Sequence, residues 1–312
     1  MTLPDAGVAR SLDEVEPVAS AVTIGNFDGV HRGHQVLLRR VVEVAADAGV
    51  RAVAITFDPH PAAVLRPGSE PPILQTLDDR VAALKDAGVG LVVVLPFTLE
   101  LSRLTPLEFV DRVLVERLRT TSVIVGANFR FGHRAAGDVG ALTGAGEARG
   151  FTTEAVAVRD LDGIPLSSSA IRSRLADGDV VWVTRALGRP HRVTGEVVAG
   201  DGRGRTIGVP TANVVVDTAL VLPADGVYAG HATVDGVAHP TVTNLGFRPT
   251  FEGTSRTVET HLLDFDEDLY GRQVTVSFVE RLRGERRFDG IDELVAQIRG
   301  DIDAARAALD VR

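Results

Sequence analysis

Along the first half of the chain, short runs of consecutive apolar residues alternate with segments whose apolar residues recur at helical spacing. Ala21-Val22-Thr23-Ile24, Ala52-Val53-Ala54-Ile55-Thr56-Phe57, Leu91 to Phe97 and Ser122-Val123-Ile124-Val125-Gly126 read as strands buried on both faces. Between them, Val36 to Ala45 and Leu77 to Leu84 carry helical periods, the second stopping near Gly88. Thr105-Pro106-Leu107-Glu108 has the pattern of a capping box with proline at the first helical position, and predicts a helix to about Arg119. A further helix and strand reach Val158. This alternation predicts an α/β fold with a doubly wound parallel sheet, on which ligands bind beyond the carboxyl ends of the strands.

Around Leu187-Gly188-Arg189-Pro190 the pattern changes to short β-rich runs: 193–198, 227–234, 238–245, 257–263 and 274–282. Turns such as Ala224-Asp225-Gly226 and Val234-Asp235-Gly236-Val237 separate them, predicting a compact antiparallel barrel or sandwich. Ile291, Leu294, Ile298, Ile302 and Leu309 share one face of a final amphipathic helix. Two domains follow, 1–186 and 187–312, as 312 residues would suggest.

A formal net charge of −9 disfavours nucleic acid or an anionic membrane surface as partner. The absence of cysteine excludes disulfides, thiolate nucleophiles and Cys-based zinc sites. Lys85 is the only lysine, which argues against a lysine-dependent phosphate loop. The first twenty positions include Asp5, Asp13, Glu14 and Glu16 and lack the order of a signal peptide, and the longest apolar run, near Leu91 to Leu95, is too short to span a bilayer. A cytoplasmic protein is expected, with self-association into a homo-oligomer left open.

Polar clusters stand at the ends of the predicted strands. Gly25-Asn26-Phe27-Asp28-Gly29-Val30-His31-Arg32-Gly33-His34 joins the first strand to a helix and puts two imidazoles at the helix start, where unpaired N–H groups and the dipole favour an anion. Asp58-Pro59-His60-Pro61, Ala127-Asn128-Phe129-Arg130 and Leu166-Ser167-Ser168-Ser169-Ala170-Ile171-Arg172 are the others. Singly, these could be a stiff turn or a helix cap; together they mark a ligand site. In the second half, Gly200-Asp201-Gly202-Arg203-Gly204 leads through Gly208 to Pro210-Thr211-Ala212-Asn213, where a hydroxyl and an amide oxygen two apart on an extended segment face one side. Such hard oxygen donors suit Mg²⁺ carrying a nucleotide, and the glycines let backbone N–H groups approach phosphates.

The first cluster resembles the HxGH signature of nucleotidylyltransferases, and Ser167 to Arg172 resembles the second phosphate motif of that superfamily. Pro210 to Asn213 resembles the PTAN motif of riboflavin kinases, with Gly226-Val227-Tyr228-Ala229-Gly230, Asn244 to Phe251, Val258 to Phe265 and Asp268-Leu269-Tyr270-Gly271 continuing the match. Over roughly residues 15 to 300 the chain resembles the prokaryotic bifunctional riboflavin kinases/FAD synthetases. That resemblance implies a nucleotidylyltransferase domain followed by a β-barrel kinase domain, with ATP, riboflavin, FMN and FAD as substrates or products and Mg²⁺ as cofactor.

It implies that His31 and His34 act on ATP phosphates, with Gly25, Phe27, Asp28, Gly29, Asn128, Ser167, Ser168 and Arg172 around the nucleotide and Phe57, Pro59 and Pro61 on the flavin. In the kinase it implies Gly202, Gly204, Gly208, Pro210 and Thr211 for ATP, Thr211 and Asn213 for the metal, and Glu259 as general base. Arg283, Arg286 and Arg287 read as solvated cations, with contact to phosphate or flavin as the alternative. The serine motif departs from the family's SSTRIR: Ser169 keeps a hydroxyl, whereas Ala170 removes a positive charge. Two other readings stand beside this one, an adenylyltransferase for another small phosphate, such as pantetheine phosphate or nicotinate mononucleotide, and a non-catalytic flavin- or nucleotide-binding regulator.

Overall fold

The computed structural model describes residues 7–157, 160–200, 204, 208–250 and 253–311; Gly202 lies outside them. The chain forms two compact units. One runs to Pro71 and resumes from Thr76 to Ser167; the other takes Pro72–Gln75 and continues from Ser168.

The first unit is a parallel sheet of β1 (Gly7–Ala9), β2 (Ser20–Ile24), β3 (Arg51–Asp58), β4 (Leu91–Pro96), β5 (Thr120–Gly126) and β6 (Thr152–Val156). Its strand order is β1-β4-β3-β2-β5-β6, every pairing parallel. The order reverses between β2 and β5, the position beyond whose strand ends sheets of this kind bind ligands. Successive residues of each strand point to opposite faces and enter two separate cores. Val22, Ile24, Val53, Ile55 and Val93 pack with Phe109, Val113 and Leu114 on one side. Ala21, Ala52, Ala54, Val92 and Val94 pack with Leu37, Leu38, Val41 and Leu84 on the other.

Helices cover both faces: α1 (Arg32–Ala48), α2 (Pro61–Leu65), α3 (Leu77–Asp86), α4 (Leu99–Arg103), α5 (Pro106–Phe109) and α6 (Val139–Arg149). The expected capping box forms between Thr105 and Glu108, and α5 continues as π-helical turns over Val110–Arg117. The last of these closes from Leu118 N to Val113 O at 3.2 Å.

The second unit opens with α7 (Ser168–Ala176) and α8 (Val180–Leu187), which pack on each other. Then comes a closed barrel of β7 (His191–Val198), β8 (Ala212–Val216), β9 (Gly226–Val234), β10 (Val237–Thr250), β11 (Gly253–Leu262) and β12 (Gln273–Arg283), in the order β10-β11-β8-β7-β12-β9 with every pairing antiparallel. Alternate residues His191, Val193, Gly195 and Val197 of β7 are buried, the period expected of a barrel wall. Helix α9 (Ile291–Ala308) lies against β9, β10 and β12. The single tryptophan, Trp182, is buried on α8, and both tyrosines, Tyr228 and Tyr270, belong to the barrel part of the chain.

Candidate active sites

Strand β2 ends at Ile24, and the chain turns sharply through Phe27 (φ 50°), Gly29 (φ 85°) and Val30 (φ 40°) before α1 begins. Two non-glycine residues in the left-handed region make this a strained turn, held by burial of Phe27, Asp28 and Val30. His31, only 4 % exposed, is the N-cap of α1, and its Nδ1 accepts from the backbone N–H of His34 at 3.3 Å. The proton of neutral His31 therefore sits on Nε2, which becomes a hydrogen-bond donor. The two imidazoles stack with centroids 3.6 Å apart, and Phe27 meets His34 edge to face at 5.1 Å.

Burial lowers the His31 pKa to about 4; burial and then the neighbouring His31 hold that of His34 well below the ordinary imidazole value. Both rings are thus neutral donors at pH 7. His34 Nδ1 is buried without a hydrogen-bond partner among the described residues. An orphaned imidazole nitrogen at a helix N-terminus matches an anion that the protein alone does not supply.

The neighbouring loops converge on the same end of the sheet. Asn128 follows β5 on the far side of the strand-order reversal and is exposed, its Oδ1 folded back towards Gly126. Phe57 is the penultimate residue of β3 and meets Phe97 edge to face at 5.7 Å; Pro59 is exposed, and Pro61 opens α2. His60 caps α2, accepting from Ala62 N at 3.1 Å, and its Nε2 lies 3.3 Å from the Asn26 amide, joining the β2 and β3 loops. Gly25 admits the Phe27 ring: a Cβ there would lie 3.3 Å from it. Ser167 ends the first unit, whereas Ser168 and Arg172 lie on α7 and group with the second. There Arg172 Nε donates to the Pro72 carbonyl at 2.6 Å.

The barrel builds its polar centre by strand register. Asn213 of β8 stands opposite Glu259 of β11, which stands opposite Asn244 of β10. Directly opposed residues of antiparallel strands share a face, so these three side chains form a row, and Thr211, two residues before Asn213, continues it. Thr211, Asn244 and Glu259 line a cavity of about 690 Å³ together with Arg283, Arg286 and Asp301. Glycines bring the backbone close to this pair of donors. A Cβ on Gly200 would fall 2.1 Å from Asn213 Nδ2, and one on Gly204 3.3 Å from Thr211 Oγ1. Gly208 is a left-handed turn residue (φ 77°), and the carbonyl of Pro210 is 2.7 Å from His261 Nδ1.

The cavity also contains residues whose charges suggested plain solvation. Arg283 forms a bidentate pair with Asp301 of α9, at 2.9 Å and 2.7 Å, and Asp301 is only 5 % exposed. Arg286 pairs with Glu293 at 2.6 Å and lies over the Phe288 ring. Leu294, Ile298 and Ile302, the apolar stripe of α9, form a wall of the same cavity.

A family model for FAD synthetase matches residues 13–170, and one for riboflavin kinase matches residues 187–309. A bifunctional riboflavin kinase/FMN adenylyltransferase of Pseudomonas fluorescens is 41% identical over 303 residues, 96% of this chain and 97% of that one. The chain belongs to this family. Other members are 38% identical in Escherichia coli K12, with 95% of each chain covered, and 34% identical in Bacillus subtilis, with 92% and 91% covered.

Among solved structures, one from Streptococcus pneumoniae superposes with a TM-score of 0.89 at 29% identity, over 97% of this chain and 99% of that one. It is described as a macrolide-efflux protein. No helix among the described residues here is long and apolar enough to cross a membrane. The FAD synthetase match covers the parallel-sheet half of the chain, and the riboflavin kinase match covers the barrel half.

Proposed function

We propose that the two polar centres divide the two activities of this enzyme, which phosphorylates riboflavin to FMN with ATP and then adenylylates FMN to FAD with release of pyrophosphate. One observation carries the division: Thr211 and Glu259 meet at one cavity of the barrel, while the histidine pair belongs to the other unit. We take 1–186 and 187–312 as the domain limits; a riboflavin kinase match that begins at 187 supports them, whereas the compact units part between Ser167 and Ser168.

In the barrel, Glu259 accepts the proton of the ribityl 5′-hydroxyl as its oxygen attacks the γ-phosphorus and ADP leaves. A carboxylate suffices, because a loose phosphoryl transition state asks for alignment and late proton removal more than for a strong base. Gly202, Gly204, Gly208, Pro210 and Thr211 hold the ATP. Thr211 and Asn213 present hard oxygens on one face, cradled by Gly200 and Gly204, and no group of three His, Cys, Asp or Glu among the described residues forms a metal site by itself. This set fits Mg²⁺, which takes most of its ligands from phosphate and water and neutralises phosphate charge when bound.

In the parallel-sheet unit, an FMN phosphate oxygen attacks the α-phosphorus of ATP and the bond to pyrophosphate breaks. His31 and His34 donate to the phosphates, supported by Gly25, Phe27, Asp28, Gly29 and Asn128, with Ser167 on the departing pyrophosphate. Phe57, Pro59 and Pro61 hold the flavin. No residue forms a covalent intermediate; positioning and charge neutralisation do the chemistry. The reading places the protein in the cytoplasm, and light scattering reads whether it forms a homo-oligomer. Incubation with riboflavin, ATP and Mg²⁺ followed by flavin chromatography tests it: FMN should appear and then FAD, and absence of both overturns the assignment.

A further inference from the structure

Arg80 is among the most deeply buried cations of the first unit, 5 % exposed, and neither proposed reaction uses it. It stands in the first turn of α3, after the Thr76 cap, and its side chain reaches the carboxyl ends of two adjacent strands. A single terminal nitrogen, Nη1, lies 3.1 Å from Asn26 O, 3.2 Å from Thr56 Oγ1 and 3.0 Å from Phe57 O. Thr56 Oγ1 in turn donates to Asn26 O at 3.0 Å.

Asn26 O lies past the end of β2, beyond the last ladder pair of β2 with β3 at Ile24 and Ile55. Where the strands part, no backbone N–H remains to satisfy such a carbonyl, and a buried unpaired one costs about 1–3 kcal/mol. The guanidinium supplies that donor. Its burial opposes the charge, lowering its pKa, while the carboxylates of Asp28 and Asp58, one on each loop, act the other way. A cation kept in so dry a place bridges the loop after β2 to the last residues of β3, where the flavin loop starts.

We infer that Arg80 is a positioning residue for adenylyl transfer: it ties the phosphate loop after β2 to the flavin loop after β3, so that nucleotide and FMN phosphate meet in line. This rests on the assignment of those loops to that reaction. The tie is mechanical, since Arg80 touches the backbone of the β2 loop at Asn26 and of the end of β3 at Phe57, from which the flavin loop leaves, and neither imidazole in the hydrogen bonds that anchor it.

The test uses the full-length protein and reads both activities from one preparation. In Arg80→Met, kcat for FAD formation from FMN is expected to fall about 10²-fold, the loss that follows about 1 Å of misplacement. KM for ATP and FMN should move less than about threefold, and FMN formation from riboflavin should stay unchanged. Arg80→Lys should recover about tenfold of the loss, because an ammonium keeps the charge and a donor but not the reach.

Amide exchange in β2, β3 and β5 separates positioning from unfolding: protection equal to the parent's supports the inference, and a rise in exchange that accounts for the lost rate overturns it. FAD synthesis within about twofold of the parent, or an equal loss in both activities, also overturns it. Should Arg80→Met not fold, Thr56→Val removes the hydroxyl that joins Arg80 to Asn26; a lowered kcat supports the inference and an unchanged one sinks it. His31→Ala serves as the separate control. If it leaves FAD synthesis intact, the assignment of the loops has failed; if it abolishes synthesis while Arg80→Met does not, only the role of Arg80 has failed.

Discussion

The two sites are built by opposite means. In the parallel sheet, both faces are covered by helices, so strand side chains are committed to packing and chemistry is pushed into loops beyond the strand ends. Those loops require their own fasteners: a strained turn, the Asn26 to His60 contact and Arg80. In the barrel, alternate residues of one strand can be core and site at once. Val258 and Thr260 are buried while Glu259 between them faces the cavity, and the ladder sets its register to Asn213 and Asn244 without any further device. A strand-borne site inherits its geometry from backbone pairing, whereas a loop-borne site depends on individual side chains.

Removing the proposed general base of the barrel should test that contrast most severely. Glu259→Gln is expected to lower riboflavin phosphorylation about 10³-fold while leaving conversion of supplied FMN to FAD unchanged, read by flavin chromatography from each substrate. Equal losses would mean that the sites are not separate.

Next comes the fastening of the barrel cavity to α9. Asp301→Ala leaves Arg283 mostly buried and unpaired, and should cost roughly 3 kcal/mol in urea denaturation. Arg306→Ala breaks the exposed pair with Asp264 and should cost less than about 1 kcal/mol. Similar values for the two would erase the distinction between buried and exposed pairs.

In the loop-borne site, His31→Ala removes both a donor and the α1 cap, and should lower FAD formation about 10²-fold with FMN formation intact. A variant that makes FAD at the parent rate would overturn the phosphate role of that histidine.

The smallest effect is on stability. His31 titrates near pH 4 when folded and near 6.5 when unfolded, so between these values the unfolded chain binds the extra proton. Stability contributed by the neutral ring is complete above pH 6.5 and declines as pH falls towards 4. At pH 5 the loss is on the order of 2 kcal/mol, from 1.36 kcal/mol per pH unit. His31→Gln should reduce the slope in that part of the urea-denaturation profile measured by circular dichroism, leaving the slope due to His34 and to buried His191, whose pKa burial lowers to about 4.

Much of this architecture is legible in the sequence, because periodicity reports which faces are covered. The continuous strands, the capping box and the β-rich second half reappear within a few residues of their expected limits. Strand β1 escapes, being three residues at a sheet edge with no period to read. So does β8, whose start is masked by the glycines before it.

The candidate site residues divide similarly. Gly-rich turns and the histidine pair announce themselves by spacing. Arg80 follows two aspartates at a helix start and looks like a solvated face, and Arg283 and Asp301 look like ordinary surface charges. Only a partner distant in the chain makes such groups worth burying, and a single sequence holds no record of that partner. The apolar stripe on α9 is legible as packing but not as a cavity wall, since both uses require the same residues.

The placement of the aromatic residues has a practical consequence. With Trp182 and both tyrosines in the second unit, ultraviolet emission is a built-in label for that unit, and the first, which has only phenylalanine, is spectroscopically dark. A fluorescence titration of the native enzyme thus listens to one half of the molecule, and any disagreement with circular dichroism is the voice of the other.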